Sequence, residues 1–184
     1  MKEKEWVEFE IMFPDVLPDK VEKFSQLIAE KYQLKTIKFN SKEEILPLVE
    51  PMFKLLDETY KNLSTYTPIT DEQILHYKEK YFGFIDKDYI ICITDKDDKL
   101  ISFAITMPSY SRALQKANGS LLPFGWYHLL NAGRKNERAN FYLIGIHPEY
   151  QRRGVTAIIF KDIWKTLKKK GVKFLETNPE PAEY

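Results

Sequence analysis

Residues 140–160, NFYLIGIHPEYQRRGVTAIIF, constrain this chain more than any other stretch of it. An apolar run ends at Pro148, a short polar turn follows, and an apolar helical face begins near Val155. Ile159, Phe160, Ile163, Trp164 and Leu167 continue that face, and Gly171 stands where a helix stops on a left-handed residue. The pattern is strand, tight turn, helix. At such a junction the amides from about Arg152 to Thr156 lack intrahelical partners, and the helix dipole favours negative charge. Gly154 lets the backbone approach a ligand or adopt angles that a Cβ forbids. With Arg152 and Arg153 alongside, the segment has the chemistry of a phosphate cradle. A surface turn of the same composition is the bland alternative.

The rest of the chain reads as one mixed α/β assembly. Residues 6–13 alternate as a strand, and Val21, Phe24, Leu27, Ile28 and Tyr32 recur at helical spacing. Leu34–Phe39 alternates again. Ser41 with Glu44, and Thr70 with Gln73, have capping-box spacing and start helices running to Tyr60 and to about Phe82. Pro47 and Pro51 predict a kink or two short helices in the first. Tyr89–Thr94 and Leu100–Met107, joined by DKDDK, predict an antiparallel hairpin. A short helix is expected around Ser111–Ala117, then a break at Gly119 and an aromatic patch, PFGWYHLL. Strands follow at Asn140–Ile146 and Val172–Leu175. Strands in hairpins followed by strand–helix–strand predict a central mixed sheet with helices on both faces.

Composition excludes several classes. Among 184 residues, 28 basic and 27 acidic side chains nearly cancel, which gives no reason to expect nucleic acid or a membrane surface as partner. Lysines 165, 168, 169 and 170 suit the C-terminal turn of a helix. A nucleic-acid binder using them with Arg152 and Arg153 would show steep salt dependence. The one cysteine, Cys92, sits in an apolar run and excludes a disulfide framework within the chain. His76, His128 and His147 lack metal-ligand spacing, so no metal site is expected. No apolar run is long enough to span a membrane, and the charged N-terminus lacks a signal peptide's apolar stretch, so a cytoplasmic protein is expected. Walker A and Rossmann glycine patterns are absent.

The stretch Ile146-x-Pro148-x-x-Gln151-Arg152-Arg153-Gly154-Val155-Thr156 resembles the central motif of the GNAT superfamily of N-acyltransferases. The family's usual form is Q/R-x-x-G-x-G/A after its fourth strand; Thr156 departs from it. The order of elements from Leu34 to about Asn178 is similar as well. The resemblance implies an α/β GNAT-like acyl-CoA N-acyltransferase fold over residues 34–184, with 1–33 as a strand–helix extension. It implies acetyl-CoA or another acyl-CoA as co-substrate. Gln151, Arg152, Arg153, Gly154, Val155 and Thr156 would hold its pyrophosphate, and backbone groups of Ile144 and Ile146 its pantetheine arm. Asn178 matches an asparagine often found after the fifth strand. The oxyanion donor would be the N–H of Ile144 or Ile146. For the base, Glu137, Tyr142 and His128 stay open beside their bland readings as loop charge, core ring and helix-surface residue. His147 shapes the turn. The aromatic insert at 108–136 either recognises substrate or covers the sheet.

Relative to the family, the helix and two strands after Val172–Thr177 are missing, and Tyr184 comes too early to serve as the family's acid. A longer parent protein (a tandem two-domain acyltransferase, for instance), a partner such as a second copy, and an N-terminal strand 6–13 filling the sheet edge are three explanations. The expected function is acyl transfer from coenzyme A to a small-molecule or peptide amine. The alternative is a catalytically incomplete GNAT-like module that binds coenzyme A or a protein.

Overall fold

The computed structural model describes residues 5–62, 66–80 and 85–181. In chain order the elements are β1 (Trp6–Val7), β2 (Glu10–Met12), α1 (Asp19–Tyr32), β3 (Lys35–Ile37), α2 (Leu46–Tyr60), α3 (Asp71–Lys80), β4 (Ile90–Thr94) and β5 (Leu100–Pro108). There follow α4 (Ser111–Lys116), α5 (Gly125–Arg134), β6 (Arg138–Ile146), α6 (Val155–Lys169), β7 (Phe174–Glu176) and β8 (Glu180–Pro181). Six strands form one mixed sheet in the order β2-β7-β6-β5-β4-β3, with β6 and β7 parallel. The expected α3 terminus near Phe82, and Tyr184, lie outside the described residues.

The chain divides into two compact units, and β5, β6 and α6 run through both. One comprises Val16–Ile105 and Leu143–Trp164. Its β4 is buried along its whole length. By alternation Ile90 and Cys92 face one side, where they join a core with Val49, Met52, Phe53 and Leu56 of α2 and Ile74 of α3. Ile93 faces the other side, level with Thr36, whose hydroxyl donates to Asp162 of α6 at 2.7 Å. Helices therefore cover both faces of the strands in this unit.

Local signals act here much as the sequence predicts. Gln73 and Thr70 cap each other reciprocally: the Thr70 N–H reaches Gln73 Oε1 at 2.9 Å, and the Gln73 N–H reaches Thr70 Oγ1 at 3.3 Å. The box expected at Ser41 is displaced, because Glu44 accepts from the Asn40 N–H at 2.8 Å, and α2 begins only at Leu46. Pro47 lies in its first turn, where the missing N–H costs nothing, and one helix runs past Pro51 rather than two. In the β4–β5 hairpin, Asp95 accepts from the N–H groups of Asp97 and Lys99, both at 3.0 Å.

The other unit takes the chain up to Asp15, Thr106–Tyr142, and from Lys165 onward. Here β2 lies antiparallel beside β7, pairing Glu10 with Glu176 and Met12 with Phe174. Phe13 N–H to Lys173 O (2.8 Å) and Thr177 N–H to Phe9 O (2.9 Å) extend the contact. Of the single strand expected over residues 6–13, only β2 fills the edge beside β7, as the third explanation had it; β1 pairs instead with β8 in a separate two-stranded sheet. Arg138 ties three strands together: its guanidinium meets Glu176 at 2.8 Å, bonds Glu10, and lies over the Phe174 ring. The stretch after Gly119 contains α5, a helix expected in the aromatic patch only through the helix-surface reading of His128. α6 closes with a Schellman pair, Val172 N–H to Leu167 O and Gly171 N–H to Lys168 O, both 3.0 Å, with Gly171 at φ +80°.

Candidate functional site

The strand–turn–helix segment lies at the end of β6. After Ile146, Pro148–Tyr150 form a 3₁₀ turn, and Arg152 (φ 61°) and Gly154 (φ 81°) are both left-handed before α6 begins at Val155. These two residues, with one between them, turn the chain from the 3₁₀ turn into α6. At Arg152 this conformation costs about 1–2 kcal/mol relative to a right-handed one. Gln151, Arg152, Arg153 and Thr156 are exposed, while Val155 is buried. The first turn of α6 holds no acidic residue, so no side chain of its own neutralises the positive end of the dipole.

The glycine has a second reason to be glycine. A Cβ at Gly154 would meet the Phe24 ring at 2.9 Å and Ile28 at 3.3 Å, so α1 lies against the turn. α1 also supplies Tyr32, and the Arg153 guanidinium lies 5.4 Å from that ring and 5.6 Å from the Tyr150 ring. Arg153 is thus held by two aromatics, whereas no hydrogen bond or ion pair holds the Arg152 side chain among the described residues. His147 shapes the turn as expected. Its Nδ1 accepts from the Glu149 N–H at 3.3 Å, and its Nε2 lies 3.4 Å from Lys99 Nζ and 3.5 Å from the Glu58 carboxylate.

The backbone of β6 near Ile144 and Ile146 is more occupied than the sequence suggests. His147 N–H bonds Ile101 O on β5, so by alternation the polar groups of Ile144 and Ile146 point away from β5. Tyr60 donates to Ile144 O at 2.9 Å, and Gln151 Nε2 to Ile146 O at 3.1 Å. The Ile146 N–H donates to Thr59 Oγ1 at 3.2 Å, and that hydroxyl's own proton goes to Leu55 O at 2.7 Å. Side chains from the last turn of α2 and from the polar turn thus stand in for a neighbouring strand. Thr59 and Tyr60 carried no sequence signal beyond a helix end.

The remaining expected residues belong to the other unit. β6–β7 pairing stops at Asn140 with Glu176, and in the same register Asn178 Nδ2 donates to Tyr142 O at 2.5 Å. Asn178 therefore prolongs the ladder with a side chain where the strands cease to pair. Tyr142 exposes its ring. Glu137 precedes β6 and is bound to Lys173 at 2.6 Å, a hydrogen bond and charge that hold its carboxyl below the usual range. His128 sits on α5, half-buried. Among the described residues no group of three or more His, Cys, Asp or Glu side chains could hold a metal ion, and no helix is long and apolar enough to cross a membrane.

No family model matches the chain. Protein YghO of Escherichia coli K12 is 22% identical over 126 residues, which is 67% of this chain and 32% of that protein. Among solved structures, the GCN5-related glucosamine N-acetyltransferase region of a fungal multi-domain GH3 β-N-acetylglucosaminidase superposes with a TM-score of 0.56 at 12% identity, over 96% of this chain and 18% of the other. A GCN5-related N-acetyltransferase from Sphaerobacter thermophilus gives 0.50 at 11% identity, over 82% and 37%. The C-terminal domain of a putative lysylphosphatidylglycerol synthetase from Agrobacterium fabrum gives 0.52 at 10%, over 89% and 41%. The chain spans less than half the length of each of these proteins. It has a GNAT-like, acyltransferase-like fold.

Proposed function

We propose that this chain binds an acyl-coenzyme A at the β6–α6 turn and transfers the acyl group to an amine. The observation that carries the reading is the turn itself: two left-handed residues, exposed Arg152 and Thr156, and an α6 first turn free of acidic side chains. The residues present suit a pyrophosphate. Amides of Gly154, Val155 and Thr156 would face it, with Arg152 and the Thr156 hydroxyl beside them. When bound, the thioester supplies an electrophilic carbonyl. The chain's part is to orient it along β6 and to offer a backbone N–H, of Ile144 or Ile146, to the developing oxyanion. For Ile146 that requires release of Thr59.

A second reading, a module that binds coenzyme A without turnover, is favoured by that same engagement. Thr59 already accepts from the Ile146 N–H that a developing oxyanion would need, while that bond leaves the amides of the turn untouched.

Thr156→Glu separates binding from folding. Position 156 is exposed, and a carboxylate in the first turn of a helix is stabilising by about 0.3–1 kcal/mol, whereas it repels a pyrophosphate. Calorimetric titration of acetyl-CoA should show binding to the parent chain, and loss of binding in Thr156→Glu with the melting temperature kept or raised. Equal affinity for both would refute the cradle. Binding without thiol release across a panel of amines would favour the second reading.

A further inference from the structure

A cavity of about 120 Å³ opens between α4 and α5, lined by Arg112, Ala113, Lys116, His128, Asn131, Ala132, Lys135 and Asn136. We infer that this cleft is a binding site for a phosphate group, free or carried on a small molecule. It lies within one unit and takes no residue from the β6–α6 turn, so it is independent of the coenzyme reading.

Four of the eight lining side chains are cationic or can become so, and none is acidic. Arg112 and Lys116 are one helical turn apart on α4, which puts them on the same face. His128, Asn131 and Lys135 follow at three- and four-residue steps along α5 and just past its end, so they too share a face. The two faces oppose each other across the cavity. No ion pair neutralises Arg112, Lys116 or Lys135 among the described residues. The nearest acid in sequence, Glu137, is bonded to Lys173 and lies near enough to Arg112 for the two charges to attract, outside the lining of the cleft. Asn136 is a fixed wall, because its Nδ2 donates to Ser109 O and its Oδ1 accepts from the Arg138 N–H at 3.0 Å.

Arg112, Lys116 and Lys135 are exposed, so water screens most of their mutual repulsion, and an anion seated among them removes what remains and adds attraction. The volume is several water molecules' worth, room for a compact oxyanion. The donor set suits phosphate more than a lone carboxylate. A guanidinium fork, two ammonium groups, an imidazole and an amide offer more donors than two carboxylate oxygens can accept, and a phosphate presents three or four oxygens to them. The rest of a phosphorylated molecule would extend into solvent through the open mouth.

The test is a titration of the whole chain with inorganic phosphate and, separately, with glycerol 3-phosphate at constant ionic strength. The readout is the NMR signals of the His128 ring and the Asn131 side chain. Saturable shifts at both residues are expected. Arg112→Ala and Lys116→Ala, both at exposed helical positions, should each weaken binding about tenfold or more, and Lys116→Arg should restore most of it. Tighter binding of glycerol 3-phosphate would identify an ester as the ligand, and equal binding the free ion. Arg152→Ala should leave the titration unchanged. The inference is overturned if sodium chloride or succinate reproduces the shifts with equal affinity. It is also overturned if the alanine variants, folded by circular dichroism, bind as the parent does, or if Arg152→Ala abolishes binding.

Discussion

Gly154→Ala measures how the turn is held. At φ +81° an alanine costs about 1–2 kcal/mol relative to glycine, because its Cβ crowds the following carbonyl. The reduced freedom of the unfolded chain offsets about 0.4–1 kcal/mol of that. The new methyl would also stand 2.9–3.0 Å from two atoms of the Phe24 ring. Phe24 is 47% exposed, so its ring can turn aside into water, and the steric part should stay at the low end of the overpacking range, about 1 kcal/mol. The sum is about 1–2.6 kcal/mol, a fall in melting temperature of roughly 2–4 °C per kcal/mol for a chain of this size. Urea unfolding of the parent, Gly154→Ala, Phe24→Ala and the double variant forms a cycle. In the Phe24→Ala background the clash with the ring disappears while the backbone part and the 3.3 Å approach to Ile28 remain, so the glycine substitution should then cost up to about 1 kcal/mol less. An unchanged penalty in both backgrounds would refute the contact between α1 and the turn. A neutral Gly154→Ala in the parent would refute the left-handed conformation itself.

Two further outcomes follow from Cys92, which is buried, and Tyr66, which is half-buried. Cys92 is fully buried and burial pushes its thiol up, so it should resist a disulfide-exchange reagent in the native protein and react fully in denaturant; rapid native labelling would contradict its place in the core. Burial and the hydrogen bond to Asp57 also raise the Tyr66 phenol above its ordinary value. Since the folded form holds its proton longer than the unfolded one, Tyr66 contributes stability that is fully present below about pH 10 and lost as pH rises further. Denaturation midpoints of Tyr66→Phe should therefore decline less steeply above that pH than those of the parent, and parallel declines would exclude Tyr66 as a cause.

The sequence by itself determined the elements whose signals are local. Thr70 with Gln73 starts α3 because its two hydrogen bonds join residues three apart, and Asp95 closes the β4–β5 hairpin within four residues. The strand–turn–helix of residues 140–160 was legible for the same reason, including a glycine with positive φ ahead of α6. α5 was not, because Phe124, Gly125, Trp126 and Tyr127 carry weak helical preference and its exposed apolar side chains blur the 3.6-residue period.

What only the tertiary structure decided are contacts between residues distant in the chain. Sequence spacing shows no trace of Phe24 against Gly154, of Tyr32 beside Arg153, or of Tyr60 donating to Ile144. The N-terminal strand's place beside β7 is of the same kind, since register there depends on Arg138 meeting Glu10 and Glu176 from three separate strands. Local pattern specifies what a segment becomes. Which partner satisfies its remaining donors, acceptors and apolar faces is settled only when the whole sheet assembles.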